Sequence, residues 1–366
     1  MKEIKVFLQY PWRFPDSPYY KYLIDYSPEK IQYLNVKKQK GAITNSKKFW
    51  ILTRLKVNIR RVANWLRLPF PNAHLTKSNE EYDIIHCAHC LSKNKDKPWV
   101  SDIENVWSMW ISGINKTDIG KRLVKDILLR ENCKKILPWT NNVKKEIIRE
   151  FPEIKDKIET VYPAINYRED LSLNKKSKLV LFSGRDFRLK GGIIALKIMR
   201  ELKKRDFEIN CVVISRTPKK LKREFKEIKF YDLLPQKDLF NFLDKASIFL
   251  YPSLMDTFGF GILESMSFGT PIFALNTIHT KAIKEIIENG KTGFIFDTKI
   301  NINKENKIEE DKIIEGVSKK IILLLKDKKL LEEMGKNCIE TIKYGKFSIK
   351  ERNKKLRKIY EEALSS

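Results

Sequence analysis

Short apolar segments alternate with helical patterns along most of the chain, and this alternation constrains the fold more than any other feature. Because a strand, a helix and a further strand build a parallel sheet with covering helices, the pattern predicts an α/β fold. In the second half the strand-like segments are residues 179–183, 209–215, 228–231, 248–250 and 271–275. In the first half they are residues 4–8, 82–88, 98–103, 135–139 and 158–162. Each half therefore predicts its own parallel sheet.

The length of 366 residues exceeds what one hydrophobic core usually supports and fits two domains of roughly 150 to 200 residues each. The polar and charged stretch 166–178 has the composition of a linker between them. We therefore predict an N-terminal Rossmann-like domain of residues 1–168 and a second one of residues 169–346. Residues 347–366 are predicted to form a C-terminal helix, within a region of long Lys- and Glu-rich helices at 309–363.

The first predicted strand leads into an aromatic segment that contains Pro11, Pro15 and Pro18. Because proline removes a backbone donor and interrupts helices and strands, residues 10–20 are predicted to form an irregular loop. Loops that follow the first strand of such a sheet face the ligand cleft.

The chain has no run of about 18 apolar residues that could cross a bilayer, and Met1 leads directly into the first strand. We therefore expect neither a spanning helix nor a signal peptide, and a cytoplasmic protein.

Residues 86–90 combine imidazole and thiol groups, which are ligands of zinc. No second group of this kind accompanies them, and neighbouring residues on a strand point to opposite faces. We expect no bound metal, and cysteines that are reduced and mostly buried.

Positive charge is the strongest compositional feature. The 73 Lys and Arg exceed the 46 Asp and Glu by 27, which predicts attraction to nucleic acids, anionic membranes or phosphorylated substrates. Residues 30–79 contain no acidic residue at all. Within them, residues 46–67 place apolar side chains at steps of three and four and predict a helix that Ser46 caps.

Two interpretations of this basic helix stand. In the first, it packs on the sheet and leaves a basic face in the solvent. In the second, the segment bounded by Lys47 and Arg67 lies on an anionic membrane surface. Trp50 and Trp65 favour the second interpretation, because indole rings are well placed among lipid headgroups. The protein would then be peripheral on the inner face of the membrane.

The first candidate binding residues lie in a glycine turn that follows the strand 179–183. They are Gly184, Arg185 and Lys190. Glycine lets backbone amides approach an anion, the N-terminus of the next helix adds its dipole, and the two side chains supply positive charge. The combination predicts a diphosphate site, with an ordinary turn bearing solvated cations as the alternative.

Two carboxylates, Asp256 and Glu264, lie eight positions apart around a second glycine-rich loop. The first is in the loop and the second is in the helix that the loop begins, so both can face a single ligand. A carboxylate suits neighbouring sugar hydroxyls, because its two acceptor oxygens match two O–H donors. The spacing therefore predicts a site for a sugar or a ribose.

The second half resembles glycosyltransferase family 4, whose members have the GT-B fold of two facing Rossmann-like domains. The family motif contains Pro-Ser, an acid, Phe-Gly, a Glu eight positions after the acid, and Gly-x-Pro. Residues 252–271 contain each element, with Asp256 in place of the usual first Glu. The resemblance extends to Gly184 with Arg185, to Lys190 with the glycine that follows it, and to residues 344–348 before the final helix.

The resemblance implies a role for each matched residue. Arg185 and Lys190 would hold the donor diphosphate. Glu264 would hold the ribose hydroxyls, and Asp256 the hydroxyls of the transferred sugar. The backbone amides beside that sugar would be those of Thr257, Phe258, Gly259, Phe260 and Gly261. Transfers in this family retain the anomeric configuration and need neither a metal nor a cofactor, and the C-terminal helix crosses back onto the first domain.

The first half resembles the family less closely. Members commonly have a glycine pair where residues 10–12 are Tyr-Pro-Trp, and a His where this chain has only acids. Glu104 aligns best with that His and is the candidate for orienting the acceptor. Asp102, His86 and His89 are the alternatives.

The resemblance therefore implies a retaining, metal-independent hexosyltransferase, and we expect it to move a hexose or N-acetylhexosamine from a nucleotide-sugar donor to a glycan acceptor. The basic segment favours an acceptor linked to a lipid or a polyprenyl phosphate at the membrane surface. One alternative is a sugar-nucleotide epimerase on the same fold. Another is a non-catalytic protein that binds polyanions, with steeply salt-dependent binding to nucleic acid. Nucleic acid is not the expected partner, because it gives no reason for Asp256 and Glu264.

Overall fold

The computed structural model describes most of the chain: residues 3–10, 18–36, 70–111, 117–168, 177–301 and 306–365, with positions 54, 55, 58, 61, 62, 65 and 66. The chain divides into two compact units. The first unit comprises Met1–Ala164 and Ile349–Ser366, and the second comprises Ile165–Ser348. The C-terminal helix, Ile349–Ser365, thus belongs to the first unit.

A five-stranded parallel sheet forms the centre of the first unit. The strands of this unit are β1 Ile4–Gln9, β2 Ile31–Leu34, β3 Ala73–His74, β4 Ile84–Ala88, β5 Leu91–Ser92, β6 Trp99–Ile103 and β7 Cys133–Pro138. The order across the large sheet is β2-β1-β4-β6-β7, and β3 pairs separately with β5. All these pairs are parallel. The order reverses between β1 and β4, which makes that point the topological switch point of the sheet.

The α-helices of the first unit whose bounds lie within the described residues are α1 Pro18–Asp25, α2 Asp118–Leu128, α3 Asn141–Glu150 and the C-terminal helix. Helix α3 begins after Thr140, whose side chain accepts a hydrogen bond from the Val143 amide at 3.1 Å. A threonine at this position satisfies an amide that the first turn leaves unpaired. Strands β4 and β6 are buried along their whole length, which is typical of a parallel sheet with both faces covered.

A six-stranded parallel sheet forms the centre of the second unit. Its strands are β8 Leu179–Ser183, β9 Asn210–Ile214, β10 Lys229–Tyr231, β11 Ile248–Tyr251, β12 Ile272–Asn276 and β13 Gly293–Asp297. Their order is β10-β9-β8-β11-β12-β13, with every pair parallel. This is the Rossmann order 3-2-1-4-5-6, and its switch point lies between β8 and β11.

Seven helices accompany this sheet in the described part of the second unit. They are α4 Gly192–Arg205, α5 Lys219–Glu224, α6 Gln236–Lys245, α7 Phe260–Ser267, α8 Ile283–Ile286, α9 Lys307–Lys326 and α10 Lys328–Lys343. Helices α4 and α9 bury apolar side chains such as Met199 and Ile321 in one core with the strands. Two sheets with Rossmann-like connections thus confirm the predicted α/β fold.

Two expectations about individual elements are wrong. Residues 158–162 do not form a strand, because only Ile158 makes a bridge, to Ile136. Val161 donates to the carbonyl of Pro138, but Pro138 has no N–H to donate in return. The predicted loop at 10–20 contains the start of α1 at Pro18, since proline is well tolerated in the first turn of a helix. Residues 11–17 lie outside the described residues.

The sequence also missed β2 and β13, and it did not locate the breaks between the C-terminal helices. The first break is at Asp327, whose carboxylate accepts from the Leu330 amide at 2.9 Å and so caps α10. The same residue ends α9. Asp327 therefore separates α9 from α10, although the sequence pattern across them indicates one continuous helix.

The predicted basic helix at 46–67 lies largely outside the described residues. The described positions from 54 to 65 are helical, and the Leu66 amide donates to the Val62 carbonyl at 2.9 Å. Leu55, Val62 and Trp65 are exposed, Trp65 to 81% of its surface. The interpretation as a helix packed on the sheet is therefore wrong at these positions. Across the described ranges, no helix is long and apolar enough to span a bilayer.

Candidate active site

The loop between β8 and α4 is built around a glycine that approaches another loop. Gly191 has a φ of +72°, and a Cβ there would lie 1.9 Å from the carbonyl oxygen of Pro252. Any other residue would collide with that carbonyl, so the position requires glycine. The Leu254 amide donates to the Leu189 carbonyl at 2.9 Å, which joins the two loops by their backbones. The loops after β8 and β11 thus form one surface at the switch point.

The loop after β11 ends in a second glycine with a left-handed backbone. Gly259 has a φ of +106° and immediately precedes α7. The N-terminus of a helix points backbone amides toward the preceding loop and attracts anions or hydroxyl oxygens, and α7 begins at this loop. Phe258 is buried against Phe260 and Phe347, with ring centroids 5.1 and 6.4 Å away. This packing fixes the loop that carries the predicted sugar-binding amides.

Lys190 and Asp256 meet across the two loops. Lys190 Nζ donates to Asp256 Oδ2 at 2.5 Å, and it also lies 3.3 Å from the carbonyl oxygen of Met255. The same carboxylate oxygen accepts a hydrogen bond from the Tyr251 hydroxyl. The sequence analysis assigned Lys190 to the diphosphate and Asp256 to the sugar. In the structure these two side chains contact each other directly. A cation and a carboxylate therefore share the switch point of the sheet.

Tyr251 is the buried member of this group. It is the last residue of β11 and is only 5% exposed. Burial, followed by the negative charge of Asp256 and its hydrogen bond, raises the pKa of Tyr251 well above the usual value of 10. The phenol therefore stays protonated and acts as a donor to the carboxylate.

Glu264 lies in α7 and is half-buried. Its carboxylate accepts a hydrogen bond from Gln236 Nε2 at 3.1 Å, and Gln236 is the first residue of α6. Arg185 is exposed beyond the end of β8, and Gly184 is held there by Ser215 Oγ, which donates to its carbonyl at 2.6 Å. The second unit thus presents cations, carboxylates and backbone amides around the C-terminal ends of β8 and β11.

In the first unit, His86 and Asp102, two of the three alternatives to Glu104, belong to a buried hydrogen-bond network. His86 and Asp102 are fully buried, and His86 Nε2 lies 2.7 Å from Asp102 Oδ2. Tyr19 and Tyr20 donate to the two oxygens of Asp102 at 3.0 and 3.3 Å. The other ring nitrogen of His86 lies 2.6 Å from the Tyr360 hydroxyl, in the C-terminal helix. These groups bond to one another inside the unit, which suits a role in holding the fold.

Glu104 and His89 lie at the same edge of the sheet, where Glu104 is half-buried and His89 is buried. Glu104 follows β6 and is half-buried. His89 follows β4 with a φ of +53°, and its ring packs edge-on against Trp139 at 4.7 Å. Burial lowers the pKa of His89, so its ring is neutral at neutral pH, although the nearby Glu104 carboxylate acts in the opposite direction. Of the four candidates in this unit, Glu104 is the acid with access to solvent.

Sequence reasoning missed Tyr251, Gln236 and Tyr360, which contact the candidate residues. Tyr251 stands directly before the Pro-Ser of the motif, so its position at a strand end was a usable signal. No local pattern pairs Tyr360 with His86, which is 274 positions earlier. Among the described residues, no group of three or more His, Cys, Asp or Glu could hold a metal ion.

The strand order of both sheets defines an α/β protein with two Rossmann-like domains, a fold that it shares with solved glycosyltransferases. Residues 164–341 match the family described as glycosyl transferases group 1. This match covers slightly less than half of the chain and includes every candidate site residue of the second unit.

Individual proteins are also similar to this chain. An uncharacterized glycosyltransferase of Haemophilus influenzae is 28% identical over 204 residues, which is 52% of this chain and 54% of that protein. The chain thus matches only about half the length of this relative. A glycosyltransferase structure from Rickettsia africae has a TM-score of 0.63 at 18% identity and covers 100% of this chain and 99% of its own. The Anabaena HepE structure, solved with UDP-glucose, has a TM-score of 0.59 at 12% identity, covering 98% and 99%. At these identities the two structures are evidence of a shared fold alone.

Proposed function

We propose that this chain is a retaining glycosyltransferase of family 4 that takes its sugar from a nucleoside diphosphate donor. The observation that carries the proposal is the contact between Lys190 and Asp256 at the switch point of a Rossmann sheet. A diphosphate needs fixed positive charge, which a lysine supplies, whereas a sugar needs acceptors for its hydroxyls, which a carboxylate supplies. Both sets of groups meet there, at the place where such folds bind nucleotides.

Within this proposal, Lys190 and Arg185 neutralise the diphosphate. Glu264 accepts hydrogen bonds from the ribose hydroxyls, and Asp256 from the hydroxyls of the transferred hexose or N-acetylhexosamine. The amides of residues 257–261 lie beside that sugar. Two cationic side chains stabilise the negative charge that develops on the leaving diphosphate, so the transfer needs no metal ion.

The acceptor role in the first unit falls to Glu104. His86 and Asp102 are fully buried and hydrogen-bonded to each other, so an acceptor hydroxyl has no route to them. Glu104 is half-buried at the C-terminal end of β6, the edge at which α/β sheets carry functional groups. Its carboxylate would accept a hydrogen bond from the acceptor hydroxyl and orient it for transfer.

The acceptor itself is proposed to be a lipid-linked or polyprenyl-phosphate-linked glycan on an anionic membrane. Leu55, Val62 and Trp65 expose apolar surface on helical turns that also carry Arg54 and Arg61. Apolar and aromatic side chains beside cations suit the boundary between headgroups and acyl chains. A protein with this surface would work at the inner face of the membrane.

Calorimetric titration of the full chain with UDP-, GDP- and ADP-sugars, without added metal, tests the proposal. We expect one base to be bound, and Glu264→Ala to weaken that binding by about tenfold or more through the lost ribose contacts. Glu333→Ala, an exposed acid in α10, is the matched control and should bind as the wild type does. If the wild type binds no nucleotide sugar, the proposal is wrong.

A further inference from the structure

Tyr251 contacts the proposed sugar-binding carboxylate from below the loop that carries it. Its hydroxyl donates to Asp256 Oδ2, the same oxygen that receives Lys190 Nζ. The ring lies under the glycine loop: a Cβ at Gly259 would be 3.5 Å from the Tyr251 hydroxyl, and one at Gly261 would be 3.8 Å from Cε2. The phenol is therefore packed between the strand end and the loop that binds the sugar.

The two donors to Asp256 differ in their freedom to move. Tyr251 is 5% exposed, ends a central strand and has its ring centroid 6.1 Å from that of Phe249. Lys190 is held by a flexible stem, and 27% of its side chain is exposed. A phenol fixed by packing keeps its place when a ligand binds, whereas the ammonium group can turn to a new anion.

A donor diphosphate competes with Asp256 for this ammonium group. Without ligand, Lys190 is neutralised by a carboxylate that is itself 17% exposed. A diphosphate carries more negative charge than one carboxylate, so it attracts the lysine more strongly at the same distance. When Lys190 turns to the diphosphate, Tyr251 becomes the group that keeps Asp256 in position.

We propose that Tyr251 is a positioning residue of the donor site. Its hydroxyl holds the Asp256 carboxylate toward the transferred sugar, while the Lys190 ammonium group leaves Asp256 and binds the donor diphosphate. This inference rests on the proposed function and adds to it how the site distinguishes a donor sugar from the bare diphosphate. The sugar contact depends on Tyr251, and the diphosphate contact depends on Lys190. The two affinities therefore respond differently to substitution.

The test compares UDP with UDP-glucose by calorimetry on the full chain, and GDP with GDP-mannose or ADP with ADP-glucose where the wild type prefers another base. Tyr251→Phe removes the hydroxyl and keeps the ring. We expect its affinity for the bare diphosphate to be unchanged and the ratio of donor to diphosphate affinity to fall about tenfold. Tyr344→Phe makes the same change at a residue that is 69% exposed, and should leave both affinities unchanged.

Asp256→Asn is a separate test of whether Lys190 moves from Asp256 to the diphosphate. Its result does not depend on whether the Tyr251→Phe protein folds. Because the lysine loses its anionic partner, we expect this variant to bind the bare diphosphate more tightly than the wild type, while the preference for the donor sugar is lost.

A Tyr251→Phe protein with the wild-type ratio of donor to diphosphate affinity would overturn the positioning role and leave the proposed function intact. Weaker diphosphate binding by Asp256→Asn would overturn the exchange. Absence of all nucleotide binding in the wild type would overturn the proposed function and this inference together.

Discussion

Asp102 and Glu104 are two positions apart and have opposite environments. Asp102 is fully buried and receives hydrogen bonds from Tyr19 and Tyr20 in addition to its contact with His86. Glu104 lies just beyond the end of β6, where its carboxylate reaches the solvent. A buried carboxylate with every oxygen engaged stabilises a fold, whereas a half-exposed one can bind a substrate group.

Glu104→Gln tests whether this carboxylate orients the acceptor. If this carboxylate orients and polarises the acceptor hydroxyl, its neutral amide should lower kcat by about tenfold to a hundredfold and leave donor affinity unchanged. The measurement is release of nucleoside diphosphate in the presence of acceptor, with the donor found by calorimetry. Glu131→Gln, an exposed acid of the same unit, is the matched control. Unchanged turnover in Glu104→Gln would remove the residue from the site.

At the scale of elements, the C-terminal helix is attached to the first unit by polar contacts inside the core. The Tyr360 hydroxyl lies 2.6 Å from His86 Nδ1 and 3.1 Å from the Tyr33 hydroxyl. Arg352 is 1% exposed, and its Nη2 donates to the Tyr26 carbonyl at 2.7 Å. Burial lowers the pKa of Arg352, and the neighbouring tyrosines and Asp102 oppose that shift. The helix is thus held by specific hydrogen bonds as well as by apolar packing.

Tyr360→Phe should therefore lower the free energy of unfolding by about 1 to 3 kcal/mol, because it leaves His86 and Tyr33 without this buried partner. Urea denaturation followed by tryptophan fluorescence measures the change. The exposed Tyr344 offers the matched control, since Tyr344→Phe removes a hydroxyl that is open to water. Equal stability of the Tyr360→Phe protein and the wild type would show that the hydroxyl contributes nothing net.

At the scale of the whole molecule, the net charge of +27 is distributed unevenly. The acid-free residues 30–79 concentrate positive charge in the first unit, next to exposed apolar side chains such as Trp65. Charge alone attracts any polyanion, but apolar side chains beside the charge favour a lipid surface. The proposed acceptor at a membrane follows from the two features together.

Reversal of charge in this segment should abolish binding to anionic vesicles. Each basic residue near such a surface contributes about 1 kcal/mol, so Arg54→Glu, Arg60→Glu and Arg61→Glu combined should weaken partitioning about a hundredfold or more. Sedimentation with phosphatidylcholine vesicles that contain phosphatidylserine measures it. The control carries the same charge change at exposed cations of α5, Lys219→Glu, Lys220→Glu and Arg223→Glu. Retained binding in the first variant would contradict the membrane proposal.

The sequence by itself determined the fold class and named the candidate site residues of the second unit. Strand and helix alternation is a local pattern, so residues 179–183 and 248–250 were found as strands within a residue of β8 and β11. Glycines that need a left-handed backbone or a close approach, such as Gly191 and Gly259, also leave a local signature. Strand β2 was missed because it is an edge strand in which only Ile31 and Tyr33 are buried, so it lacks the continuous apolar run that marks β11.

Only the tertiary structure decided which polar groups meet. Lys190 and Asp256 are 66 positions apart, and His86 and Tyr360 are 274 apart. Local propensity carries no information about such contacts, because they depend on strand order and on which side chains the sheet edge brings together. For the same reason, the sequence left four candidates for the acceptor-orienting residue, and burial separated Asp102 and His86 from Glu104. A residue's chemistry can be read from the chain, but its access to a substrate is set by packing.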